Sequence, residues 1–85
     1  MAHVTLDASY LRTARHAPDH VRRALARFIG DLGELPTPTP LPGDLEVLIP
    51  PARRWWRHAI AASGWSVHYT AGADGFVVRS VAQDR

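Results

Sequence analysis

The chain reads as a single α+β domain, residues 1–85: an N-terminal strand, a helical hairpin, then a three-stranded antiparallel meander. The expected product is a four-stranded sheet with helices on one face. Two observations predict it. Val21, Ala24, Leu25, Phe28, Ile29 and Leu32 recur at the three-and-four spacing of one buried helical stripe. After the residue 35–42 segment, R-R-W-W-R-H-A-I, W-S-V-H-Y and G-F-V-V-R-S-V form runs of strand character. They are divided by Ala62-Ser63-Gly64 and by a Gly72-Ala73-Asp74-Gly75 turn.

Each element has a local cause. His3-Val4-Thr5-Leu6 is a short strand candidate, and Asp7 or Ser9 can cap the helix that follows. That helix runs to about His16 and stops before Pro18, because the residue preceding a proline leaves the helical region. Pro18 then suits the first position of a second helix, with Asp19 favourable in its first turn. Arg22, Arg23 and Arg27 fall away from the apolar stripe, and Gly30 or Gly33 can end the helix. Residues 35–42 hold four prolines, which fix φ and remove donors, so a stiff extended connection is expected. Residues 45–49 resume apolar character until Pro50-Pro51 breaks it.

The bulk composition bounds the function. With 85 residues and no cysteine, neither a disulfide nor a thiolate metal site can staple the fold. Surface-to-volume scaling leaves roughly 35–40% of the unfolded surface exposed, so stability is marginal or shared with a partner. All ten basic side chains are arginine. Its planar fork suits phosphate and carboxylate, although a codon-usage bias produces the same excess. The net charge is only +2, but residues 50–73 carry three arginines, two histidines and no acid. Such a sheet is expected to meet something anionic. No basic-then-apolar leader pattern and no run approaching about 20 apolar residues occurs, so a soluble cytoplasmic protein is expected, with no membrane contact.

Period-two alternation sorts the strand residues. Trp65, Val67 and Tyr69 should meet the helices, leaving Ser66, His68 and Thr70 on the other face. Ile60 marks Trp56, His58 and Ile60 as the buried set of the preceding strand, which places Trp55, Arg57 and Ala59 with His68. In the last strand Phe76 and Val78 oppose Val77, Arg79 and Val81, and alternation does not decide between them. His58 reads as a packed core histidine. His68 lies beside an arginine on a polar face and is the candidate proton-transfer group. An outward Trp55 is a candidate anchor for a partner, with Ser66 on the same face. The histidines at 3, 16, 20, 58 and 68 share no metal-ligand spacing; Pro18 interrupts the His16/His20 pair, so no metal or other cofactor is expected. Paired carboxylates, a nucleophile elbow and a phosphate-cradling glycine loop are absent.

The order of elements and the basic open face resemble the RelE/ParE superfamily of toxins from type II toxin–antitoxin pairs. Residues 8–35 look like its helical hairpin, and Leu41-Pro42-Gly43-Asp44-Leu45 like its L-x-G approach to the sheet. Ala62-Ser63-Gly64-Trp65-Ser66-Val67-His68-Tyr69 is similar to its (S/D)-G-(Y/W)-R-(V/L)-(V/I)-Y hairpin, and residues 76–81 to its closing strand. The likeness spans nearly the whole chain through short motifs. It implies a toxin held by a cognate antitoxin and acting on ribosome-bound mRNA as an endoribonuclease. The alternatives within it are a gyrase inhibitor of the ParE type and a non-catalytic protein-binding module. The catalytic set so implied is Arg57, His68 and Arg85, with Arg53, Arg54, Arg57 and Arg79 meeting RNA and Trp55 and Ser66 meeting the partner protein. The pattern departs from the family at Ala59 and Ser66, where basic residues are common, and in lacking a late tyrosine.

Overall fold

A computed structural model describes residues 1–49 and 53–84, with the side chains of Ile49 and Arg53 left aside. Arg85, expected in the catalytic set, lies outside the described residues, and so does the side chain of Arg53. The order is β1 (Val4–Leu6), α1 (Ala8–Ala14), α2 (Asp19–Glu34), β2 (Leu45–Ile49), β3 (Arg53–Ile60), β4 (Trp65–Gly72) and β5 (Gly75–Gln83).

The α+β class holds, but the sheet has five strands rather than four, in the order β1-β5-β4-β3-β2. The meander of β3, β4 and β5 is antiparallel as expected. β1 closes one edge parallel to β5, and β2 adds the other edge antiparallel to β3. Residues 45–49 gave no alternation to read, because an edge strand buries little on either side. Leu45 and Leu48 are 60% and 68% exposed.

Asp7 caps α1 by accepting the Ser9 N–H at 3.2 Å. α1 ends at Ala14, a turn short of Pro18, and Pro18 is the N-cap of α2 rather than its first helical residue. α2 passes through Gly30 and Gly33 and stops at Glu34, where Leu35 turns extended before Pro36. The proline's demand on its predecessor decides the stop; a solitary helical glycine costs only about 1 kcal/mol.

Val21, Leu25, Phe28 and Leu32 of α2 pack on Val67, Tyr69, Phe76, Val78 and Val81, and Trp56, Ile60 and Trp65 flank this core. Both helices therefore cover one face, and the face assignments for β3 and β4 stand. Alternation cannot sort β5 because a bulge breaks the register between His68 and Tyr69, so Val67 opposes Val81 while Tyr69 opposes Val78. The inserted residue lets Phe76, Val78 and Val81 all point at the helices, which strict alternation forbids. Among the described residues no helix is long and apolar enough to cross a membrane.

Candidate functional site

The uncovered sheet face carries two linked polar clusters. In the first, Arg57 of β3 stands directly opposite His68 of β4. The Arg57 Nε donates to Ser66 Oγ at 3.2 Å and its Nη2 to Asp84 Oδ1 at 2.9 Å. The Ser66 hydroxyl also reaches the Asp84 carboxylate at 2.9 Å. Asp84 is brought in because its own N–H bonds the carbonyl of Gly64, in the turn between β3 and β4. Arg57 and then Ser66 hold the Asp84 carboxyl below the usual carboxylate range. Burial, and secondarily the Arg57 charge, push the His68 imidazole down, with Asp84 opposing. His68 is thus a neutral imidazole at physiological pH, able to accept a proton.

In the second cluster Arg79 donates to Thr70 Oγ1 and Asp7 Oδ2, both at 3.3 Å. Its guanidinium carbon lies 5.9 Å from the Trp55 ring centroid. The Trp55 and His68 rings are 6.4 Å apart, so the two clusters touch through aromatic contact. Trp55 Nε1 is buried without a hydrogen-bond partner among the described residues.

Arg57, His68, Trp55 and Ser66 therefore share one face, as the spacing predicts, and Arg79, whose face alternation leaves undecided, joins them. Arg54 does not join them: alternation sends it to the opposite face, where its Nε pairs with Glu46 at 3.1 Å. Ser66, expected toward a partner, is fully buried with its hydroxyl committed to Asp84 and Arg57. β3, β4 and β5 themselves lack carboxylates, yet the face is not acid-free. Asp84 and Asp7, 27 and 72 residues away along the chain from their arginines, supply the compensation. A half-buried guanidinium without a counter-charge is costly, which is why folding recruits them. No local signal in the strands points to either acid.

On the helix side, His58 stacks on Phe28 with ring centroids 4.4 Å apart, and its Nδ1 lies 2.8 Å from Asp44 Oδ1. The other Asp44 oxygen accepts the Tyr69 hydroxyl, which in turn accepts the Leu41 N–H at 3.0 Å. His58 is a packed, hydrogen-bonded histidine, as its apolar neighbours predicted. It also borders an open cavity of about 220 Å³ between α2 and β3, beside Ala24, Arg27 and Asp31. Among the described residues no three His, Asp or Glu side chains converge on a metal position. Comparison with protein families, curated proteins and solved structures yields no match for this chain.

Proposed function

We propose that the chain is the toxin of a type II toxin–antitoxin pair, of the RelE/ParE kind, acting in the cytoplasm on ribosome-bound mRNA. The single observation that carries this reading is the Arg57–His68 pair, opposed across β3 and β4 on the uncovered face. RNA cleavage by internal attack needs a base for the ribose 2′-hydroxyl and positive charge around the phosphorus. Neutral His68 takes the 2′-hydroxyl proton, the 2′-oxygen attacks phosphorus, and the 5′-oxygen leaves with a proton from water. The products are a 2′,3′-cyclic phosphate and a 5′-hydroxyl end. The bonds to Ser66 and Asp84 fix the Arg57 plane but leave further N–H donors for the phosphate oxygens. Arg79, stacked near Trp55, supplies a second positive group, and Arg85 is assigned the remaining phosphate contact by the resemblance.

The test is induced expression of the chain in a bacterial host, with mRNA ends mapped after growth arrest. Arrest with new cleavage inside codons, lost in both Arg57→Gln and His68→Gln, is the expected result. Wild-type-like arrest from both variants overturns the mechanism, and arrest without cleavage points to gyrase.

A second reading is favoured by one specific observation. Arg57 and Arg79 each already hold a carboxylate, so the face is internally neutralised. A non-catalytic module that grips a partner chain through the Trp55 side of the sheet needs no free charge there. Failure to arrest growth, together with stable capture of an acidic partner encoded beside it, selects this reading.

A further inference from the structure

Among the described residues the largest unneutralised charge is not on the sheet. Residues 12–27 hold Arg12, Arg15, Arg22, Arg23 and Arg27 against a single acid, Asp19, a local charge of +4 in a chain whose total is +2. All five arginines are exposed, as are His16 and His20. Among the described residues only Arg22 has an acidic partner, Asp19. By contrast Arg54, Arg57 and Arg79 on the sheet are all paired.

α2 carries one acid in its first turn, Asp19, which pairs with Arg22, and no basic residue in its last turn, where Asp31 and Glu34 lie. The dipole is thus complemented at the N-terminus and opposed only at the C-terminus. Arg12, Arg15, Arg23 and Arg27 stand exposed where the core makes no use of them, and an anionic ligand gives them one.

We infer that the outer face of the α1–α2 bend binds the phosphodiester backbone of a nucleic-acid duplex, independently of the sheet face. Arginine forks suit phosphate oxygens bidentately. Arg23 and Arg27, one turn apart on the exposed side of α2, stand about 6 Å from each other along the axis. A lipid surface fits less well. The apolar stripe of α2 is spent in the core, and Leu11 is the only exposed large apolar residue of the hairpin. An acidic protein surface fits less well for the same reason: protein interfaces take their energy from buried aromatic and apolar anchors, which this patch lacks.

The experiment is a titration of fluorescein-labelled 20-base-pair duplexes with the purified full chain, followed by anisotropy between 50 and 200 mM salt. One duplex is RNA and one DNA, each of arbitrary sequence, so the arms also say which backbone geometry is preferred. If Arg12, Arg15, Arg23 and Arg27 each neutralise one phosphate, log affinity falls against log salt with a slope of about −3 to −4. Affinity then drops about 100-fold over that fourfold salt range. Arg23→Gln reduces the slope by about 1, and the fourfold Arg→Gln variant at 12, 15, 23 and 27 abolishes it. Circular dichroism verifies that the variants remain folded, as exposed substitutions should within about 0.5 kcal/mol. Binding that survives the fourfold variant with its salt slope unchanged, or capture of polyglutamate with both duplexes left free, overturns the inference.

Discussion

Replacing Tyr69 by Phe probes the polar cluster that joins the Leu41–Asp44 approach to the core. Tyr69 is fully buried, and its ring packs against Phe28 and Phe76 at centroid separations of 5.6 and 5.9 Å. Phenylalanine keeps those contacts, so the substitution isolates the hydroxyl. That hydroxyl donates to a carboxylate whose side chain is only 6% exposed, and it accepts the Leu41 N–H. A hydrogen bond to a charged group contributes about 1.5–3 kcal/mol, and the orphaned backbone N–H adds about 1. The expected loss is therefore about 3 kcal/mol, from a total of about 4–13 for a chain of this length. With a urea slope of about 1–1.5 kcal/mol per molar, the unfolding midpoint falls by about 2–3 M. Tryptophan fluorescence during urea titration reads it directly. A midpoint within about 0.5 M of the parent refutes the claim that this hydroxyl ties the loop to the sheet.

The same residue shapes the alkaline limb. Burial first, then the Asp44 hydrogen bond, raise the Tyr69 phenol above its ordinary value, and burial raises Tyr10 likewise. The neutral phenols belong to the fold, so their contribution is full below about pH 10 and lost as pH climbs through the raised values. Tyr69→Phe should flatten that limb; an unchanged limb counts against it. On the acid side the Asp7 and Asp84 carboxyls are lowered, Asp7 mainly by the Ser9 N–H and then Arg79, Asp84 mainly by Arg57 and then Ser66. Their contribution is present above about pH 4 and fades as pH falls through the lowered values, which a stability series from pH 5 to 2 in Asp84→Asn and parent will separate. NMR titration of His68 should show a further fall in Asp84→Asn, which removes the charge that props it up, and a rise in Arg57→Gln; either shift in the opposite sense refutes the cluster geometry. Gly75 has φ +108, and a Cβ there would collide with the carbonyl and side chain of His3. Gly75→Ala should cost about 3 kcal/mol, from about 1–3 for the backbone and about 1 for the Phe76 N–H bond to His3, with β1 amides losing hydrogen-exchange protection first. Retained protection refutes the parallel β1–β5 pairing at this register.

The polar face shows how far spacing carries an argument. That Arg57 and His68 meet is legible because both sit on strands whose apolar partners, Ile60 and Tyr69, declare the inner face. That Arg79 joins them was not: the bulge beside it moves Val81 to the core face, so a strict period of two gives the wrong company for one of the two residues. Arg54 shows the converse, since four clustered basic residues look like one patch until the strand sends neighbours to opposite faces.

By itself the sequence determined what depends on neighbours along the chain. The stripe of α2, a cap at Asp7 or Ser9, the proline connection and the inward faces of β3 and β4 all follow from periodicity and local sterics. Tertiary structure alone decided the electrostatics and the edges. Asp84 reaches Arg57 across 27 residues, Asp7 reaches Arg79 across 72, and Asp44 reaches His58 across 14. Such pairings have no periodic signature, because charge interactions depend on distance through space and on burial rather than on separation along the chain. The recruitment of β2 to the sheet edge is of the same kind: its backbone found a partner strand, while its side chains recorded almost nothing of the pairing. Folding thus neutralises Arg54, Arg57 and Arg79, which looked free, and leaves exposed the helical arginines that looked like ordinary solvated surface.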